Sequence, residues 1–394
     1  MNAETRFEVA IVGGGVVGAA LACALRGGPV ALLAQRRTER FAAAAKFDAR
    51  VYAISPGNAA FLARIGAWGE LPPARLTPVH AMRVHGDDGS SRIEFDAYSA
   101  GASELAWIVE DGLLQDALAR GLEAREGLSR FDAASLERLE VADRHATLVL
   151  NDGRQIRASL VVGADGARSF VRAQAGIPSA ESAYGQTAVV ANFACSRPHR
   201  NVAWQWFQGA AKGGAVLALL PLPGDHVSMV WSVGDAQASR LIALEAGGLA
   251  REAAAASRHA LGELSLVTRP RGIALRRLAA QRLAAPRIAL AGDAAHVIHP
   301  LAGQGANLGL QDARTLAALL EAREPFRDPG DLRFLRRYER SRAEAILAMR
   351  ATVHGLFRLF NSPGAAVSRL RNAGLKLADR IPVLKNLLIR HAMG

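Results

Sequence analysis

A run of six residues rich in glycine, set directly behind an apolar strand, constrains this chain more than any other feature. Phe7 to Val12 is mostly apolar. Gly13-Gly14-Gly15-Val16-Val17-Gly18 follows at once, then the small, helix-prone stretch Ala19 to Leu25 and a second apolar run, Pro29 to Leu33. A strand, a tight turn, a helix and a strand within about 30 residues open a dinucleotide-binding fold. Small residues are needed at Gly13, Gly15 and Gly18 because the turn is tight, the backbone must approach a pyrophosphate, and the helix must pack close to the strand. The phosphates then meet free N–H groups at the helix start. This run alone leaves the nucleotide open. An acidic residue normally ends the second strand and binds ribose hydroxyls. Here Ala34 and Gln35 stand there, followed by Arg36 and Arg37. Gln35 can hydrogen-bond a ribose hydroxyl without charge assistance. Arg36 suits the 2′-phosphate of NADPH. FAD and NADPH both fit at this point.

Two further segments repeat the pattern of an apolar strand ending in Asp beside Gly. The first is Leu160-Val161-Val162-Gly163-Ala164-Asp165-Gly166, with Val171-Arg172 beyond. The second is Ile288 to Leu290 with Gly292-Asp293, running through His296, His299 and Pro300 to Gly303, Gly305, Ala306 and Asn307. A carboxylate there can take a ribityl hydroxyl, and the glycine lets the chain pass close. For either segment alone, an Asp capping a turn is the plainer reading. The last segment places Gly303, Gly305 and Asn307 at the start of a long helix, whose N–H groups and dipole stabilise negative charge. A reduced flavin carries negative charge at its N1–C2=O edge, so the isoalloxazine ring is expected there.

Half of the 394 residues are apolar, enough for two or three domains with a sizeable core. Residues 47–70 read as a loop and a helix, 78–98 as a hairpin around Asp87-Asp88-Gly89, and 107–125 as a helix. Residues 129–165 read as strands turning at Asn151-Asp152-Gly153, 185–235 as strand-rich, Leu249 to Leu261 as helical, and 270–291 as strand. Beyond Ala306 the pattern is helical nearly to the end, and no internal repeat is visible. The expected fold class is α/β: a Rossmann-like FAD-binding domain with an inserted, mostly β substrate domain and a helical C-terminal tail. The expected division is 1–75, 100–178 and 265–345 for the discontinuous FAD-binding domain. Residues 76–99 and 179–264 form the substrate-binding β-sheet domain, and 346–394 the helical C-terminal region.

Cys23 and Cys195 lie far apart and outside any CxxC or Cys/His cluster, so neither a disulfide framework nor a metal site is expected. No signal-peptide pattern and no long apolar span is visible. The net charge is +12, and from Phe357 to Gly394 seven Lys/Arg face Asp379 alone. That basic tail suits an anionic lipid surface or a solvated helix face; no nucleic-acid module is present. A cytoplasmic location is expected, with peripheral attachment at the inner membrane kept open. The oligomeric state is open.

The chain resembles the single-component FAD-dependent aromatic hydroxylases, marked by the N-terminal glycine run, Asp165-Gly166 and Gly292-Asp293. Within them it resembles the ubiquinone-biosynthesis hydroxylases. The segment Gly292 to Gly309 with Asp312 carries most of that likeness. Asp48-Ala49-Arg50, Val109-Glu110-Asp111, Tyr184-Gly185-Gln186, Gln205-Trp206-Phe207 and Leu220-Pro221-Leu222-Pro223 add to it. The resemblance implies noncovalent FAD, with Arg50 near the pyrophosphate or ribityl chain and Asp293 on the ribityl group. Asp165 is implied to serve both FAD and a transient NAD(P)H. The implied reaction hydroxylates a phenolic ring through a flavin hydroperoxide, the ring belonging to a polyprenylated phenol or quinol. A small soluble phenol and a non-catalytic scaffold of a quinone-biosynthesis complex are the alternatives. His296, His299 and Pro300 are the candidates for the reaction centre, with no general base singled out. Tyr184, Gln186, Gln205 and Trp206 are the candidates for the substrate pocket. The family's usual Glu is missing at 34/35, and weak FAD retention is expected.

Overall fold

The computed structural model describes residues 5–35, 47–88, 90–209, 213–299 and 303–361. Phe7, Val9, Ala10 and Ile11 are all buried, so the first strand, Thr5–Val12, is apolar on both faces. A strand of that kind belongs at the centre of a parallel sheet covered on both sides. It pairs in parallel with Val30–Ala34 on one flank and Gln155–Gly163 on the other. Ile288–Leu290 continues the parallel sheet beyond Gln155–Gly163, and Leu128–Asp132 continues it beyond Val30–Ala34. Leu136–Val141 and Ala146–Leu150 add an antiparallel wing. The helices Val16–Ala24, Asp111–Glu123 and Gln304–Glu321 pack in this body, the first touching both others.

A second, nine-stranded sheet is built around the long strand Ser179–Cys195, which pairs antiparallel with His226–Gly234 and with Arg271–Ala280. It continues through Val216–Leu222, Val202–Phe207, Ala81–His85 and Arg92–Asp96. Val189, Ala191, Phe193, Trp206, Leu217, Met229 and Trp231 alternate along these strands toward one face. The helices Asp235–Ala243 and Ala246–Ala256 cover that face. The other face carries Gln186, Val190, Gln205, Ala218 and Val230, since successive strand residues point to opposite sides. The last helix, Leu332–Asn361, packs Phe334, Leu335, Tyr338 and Ile346 against the first body and Val353 against the second.

The expected strand–turn–helix–strand opening is present, and within 78–98 the expected hairpin is formed by Ala81–His85 and Arg92–Asp96. Three readings need correction. Within 47–70 there is a strand, Val51–Ile54, and the first residues of 107–125 are a strand, Ala106–Glu110; the two pair with each other. These runs are too short for periodicity to separate strand from helix. The helix expected over 249–261 is Ala246–Ala256, which starts earlier and stops short of Leu261. The C-terminal tail beyond residue 361 lies outside the described residues. Among the described residues no helix is long and apolar enough to cross a membrane, which says nothing of β-barrels.

Candidate functional site

Register brings the three glycine segments together. Val12 pairs with Gly163 and with Leu33, and Gly163 pairs with Leu290. The carboxyl ends of four parallel strands therefore align, and at one edge they carry Gly13, Asp165, Gly292 and Gln35. Ligands of open α/β sheets bind at this edge. The first glycine is fixed there by contact: Gly13 has φ +119°, and a Cβ on it would lie 2.1 Å from the Ala164 carbonyl oxygen. A Cβ on Gly18 would lie 1.9 Å from the Gly13 oxygen, so the helix sits tight on the turn. Gly15 is different. It caps the helix Val16–Ala24 with no side-chain bond and no acid in the first turn, and none of the described residues lies within 4 Å of where its Cβ would be.

The helix Gln304–Glu321 repeats this arrangement. Gly303, at φ +65°, caps it without a side-chain bond, Ala306 is half-buried in its first turn, and the space beside Gly305 is open. Asn307 is committed elsewhere. Its Nδ2 donates to the Ala53 oxygen at 2.7 Å, and its Oδ1 accepts from Ser55 N and Asn58 Nδ2, both at 2.9 Å. Asn307 thus clamps the segment 53–58 to the helix start, and its side chain is held by protein. The helix itself lies on the first glycine run: a Cβ on Gly309 would stand 2.6 Å from Val17 Cγ2 and 3.2 Å from Gly292 Cα.

Asp165 behaves as a cap. Its Oδ2 accepts from Phe170 N at 2.7 Å and Val171 N at 3.1 Å, while its buried Oδ1 has no partner among the described residues. Gly166 stands beside it at φ +83° with open space in front. Arg172 ties this segment to the next one, donating to the Ala294 oxygen at 2.7 Å and the Ala167 oxygen at 2.8 Å. Asp293 reaches solvent, yet protein crowds its inner side. That crowding raises its carboxyl above the usual range against the pull of His296 and Arg50. Arg50 feels Asp293 in turn, stands over the Tyr52 ring at 5.3 Å and approaches Asp111 Oδ2 at 3.8 Å. Arg50 and Asp293, far apart in sequence, are neighbours on the open side.

The two histidines differ. His296 is buried with its Nε2 2.6 Å from Asp312 Oδ2, and Asp312 Oδ1 accepts from Arg342 Nε at 2.7 Å. Burial raises the Asp312 carboxyl, but His296 and Arg342 together pull it below its usual value. Asp312 Oδ2 also accepts from Gly292 N at 2.9 Å. His296 therefore helps lock the Gly292 turn. His299 is fully buried, and its Nε2 lies 3.2 Å from Gln186 Oε1. Gln186 Nε2 points to the Gly213 and Gly214 oxygens, so its Oε1 is the acceptor and the His299 Nε2 carries the proton. Burial pushes the His299 imidazole down to about 4. Tyr184 packs edge-on at 4.9 Å, and Phe357 of the last helix closes the group at 4.6 Å from Tyr184. Burial raises the Tyr184 phenol, with Arg277 and the His299 backbone pulling the other way.

Gln205 is buried on the same sheet face as Gln186. Trp206, one residue on, points to the opposite face and is buried under the helices Asp235–Ala243 and Ala246–Ala256, stacked on His85. The structure does not bring Trp206 together with the other pocket candidates. Gln35 is exposed at the end of its strand. Arg36 and Pro300 lie outside the described residues. Arg342 and the Arg75–Glu110 pair were not singled out from sequence. The signal for the second was there: an acid ending the apolar run Trp107-Ile108-Val109 needs a partner if it is buried.

These residues fit FAD. Among the described residues two helix starts have no side-chain cap hydrogen bond, each beside a glycine with open space, and they share one edge with a cation and a carboxylate. That set suits a pyrophosphate, a ribityl chain and an anionic ring edge. The fold and this site define an FAD-dependent monooxygenase. Residues 6–352 match the family model described as FAD binding domain. The chain is 36% identical over 396 residues to the ubiquinone hydroxylase UbiL of Rhodospirillum rubrum, covering 100% of this chain and 91% of the relative. It is 33% identical over 392 residues to the 3-demethoxyubiquinol 3-hydroxylase of Escherichia coli, covering 98% of each. Among solved structures, Pseudomonas aeruginosa PqsL in complex with 2-aminobenzoylacetate superposes with a TM-score of 0.79 at 25% identity, over 94% of this chain and 99% of that one. The chain belongs to the ubiquinone-biosynthesis hydroxylases of the FAD-dependent aromatic monooxygenase family.

Proposed function

We propose that the chain hydroxylates the aromatic ring of a polyprenylated phenol or quinol on the way to ubiquinone. The observation that carries this reading is likeness along the whole chain to relatives named for that pathway. The nine-stranded sheet supports it, offering Val190, Ala218 and Val230 with Gln186 and Gln205 as an apolar wall with few polar groups, as a greasy ring requires. FAD, reduced by NAD(P)H, supplies the oxygen-activating chemistry when bound. The chain's own residues do the rest. The starts of the helices Val16–Ala24 and Gln304–Glu321 hold the pyrophosphate and the ring edge. Arg50 and Asp293 hold the ribityl region, and Gly13, Gly18, Gly166 and Gly292 let the backbone pass close.

His299, Tyr184 and Phe357 keep the reaction side dry. His299 donates from Nε2 to Gln186, which leaves Nδ1 as its basic atom, and burial keeps it neutral near neutral pH. In this reading His296 is a positioning residue for Gly292 and Asp293. The domain division expected from sequence goes with it, cofactor on 1–75, 100–178 and 265–345 and substrate on 76–99 and 179–264, with Arg271–Ala280 adding a strand to the substrate-side sheet. The apolar substrate brings the enzyme to a membrane surface, and the basic tail suits that contact. If so, removing residues 365–394 lowers binding to anionic liposomes at low salt; unchanged binding removes the tail from that role.

The test is chain reconstituted with FAD and given NAD(P)H with a short-chain prenylated phenol or a small soluble phenol. Faster NAD(P)H oxidation and a hydroxylated product with the prenylated phenol support the reading. Turnover of the small phenol alone points to the soluble-substrate alternative. No stimulation by any phenol points to a scaffold. A deletion strain should accumulate a dehydroxy or demethoxy quinone precursor.

A further inference from the structure

Asp48 is bonded through every polar atom it has. Its N–H donates to Glu110 Oε1 at 2.6 Å, and its carbonyl accepts from Asn192 Nδ2 at 2.7 Å. Its Oδ1 accepts from Arg50 N at 3.0 Å and its Oδ2 from Gly112 N at 3.1 Å. Arg50 lies in the same loop, and the other three partners lie on three different elements. Glu110 is fully buried at the end of the Ala106–Glu110 strand and takes two bonds from Arg75, Nε to Oε2 at 2.9 Å and Nη2 to Oε1 at 2.8 Å. Gly112 lies in the first turn of the helix Asp111–Glu123. Asn192 is fully buried in the central strand of the nine-stranded sheet.

The residue these bonds fix is Arg50. Its backbone is held on both sides, by Asp48 through N and by Asp111 N donating to its oxygen at 3.0 Å. Its guanidinium lies by Tyr52 and Asp111, whose own hydrogen bond is 2.8 Å, within electrostatic reach of Asp293. An exposed arginine on a free loop loses much side-chain and backbone entropy on gripping a ligand. Here the backbone part of that loss is already met by the fold.

We propose that Asp48 is a positioning residue for the cofactor: it presets Arg50 for FAD, and through Asn192 it anchors that setting to the sheet on the substrate side. The inference rests on Arg50 contacting FAD, a reading that it deepens.

The experiment is FAD binding to the full-length apoprotein, followed by quenching of flavin fluorescence, for Asp48→Ala, Arg50→Ala and the double variant. Apoprotein melting is measured alongside. Asp48→Ala should weaken FAD about tenfold, the scale of a lost cap and loop anchor. In the Arg50→Ala background the same change should do almost nothing further, because Asp48 acts through Arg50. Asp48→Asn, which keeps one acceptor oxygen, should fall between. If Asp48→Ala does not fold, Asn192→Ala loosens the same loop from the other side and should show the same non-additivity. Equal weakening with and without Arg50, or unchanged affinity in Asp48→Ala, overturns the proposal. If Arg50→Ala itself binds FAD like the parent, the reading of Arg50 fails as well, and the single variants tell the two failures apart.

Discussion

At Asp312 one carboxylate in the middle of a helix serves His296, Arg342 and the Gly292 backbone at once. Removing its charge leaves a buried arginine uncompensated, which costs about 3–5 kcal/mol in such settings. Asp312→Asn should therefore lower the melting temperature sharply and weaken FAD, whereas a surface change such as Glu321→Gln should do neither. Melting curves with and without FAD check this. His299 gives a pH signature. Its folded pKa of about 4 lies below the ordinary 6.5, so between these values the unfolded chain binds more protons than the folded one. The stability that His299 confers is complete above about pH 6.5 and is lost as pH falls toward 4. His299→Gln should flatten the fall in melting temperature across that window; an unchanged slope would show that His299 is not buried neutral.

Among the elements, the two helix starts make a prediction that separates folding from binding. Among the described residues nothing lies within 4 Å of a Cβ on Gly305, but one on Gly18 would stand 1.9 Å from a backbone oxygen. Gly305→Val should leave apoprotein melting close to the parent and abolish FAD binding. Gly18→Val should damage both. Equal FAD affinity in Gly305→Val would place the ring elsewhere. These helices were legible in sequence because a glycine run between an apolar strand and a helix has few other uses, and the parallel strands were legible because they are apolar on both faces. The strands Val51–Ile54 and Ala106–Glu110 were not. Each has four or five residues, and each exists through pairing with the other across more than fifty positions of chain. The commitment of Asn307 to Ser55, Asn58 and Ala53 was hidden because these partners stand roughly 250 positions away in the chain, where no local pattern records the pairing. Trp206 could be placed on a strand, but only the strand's register says which face it takes.

On the scale of the whole molecule, four strand ends meet at one edge with Arg50 and Asp293 beside them, and the nine-stranded sheet carries Gln186 and Gln205 on the face opposite its two covering helices. The adenosine end is the weak point. Gln35 is exposed where a charged acceptor would bind the ribose, so FAD should leave during purification and return on addition. Gln35→Glu should tighten FAD severalfold in the same fluorescence titration; a parent protein that purifies fully loaded would speak against the weakness. The measurement that bears most directly on the enzyme's function uses isotope-labelled dioxygen. FAD-reconstituted chain, NAD(P)H and a prenylated phenol should yield a phenol carrying one labelled oxygen atom on the ring. NAD(P)H consumed to give only hydrogen peroxide, with an unlabelled ring, would contradict it.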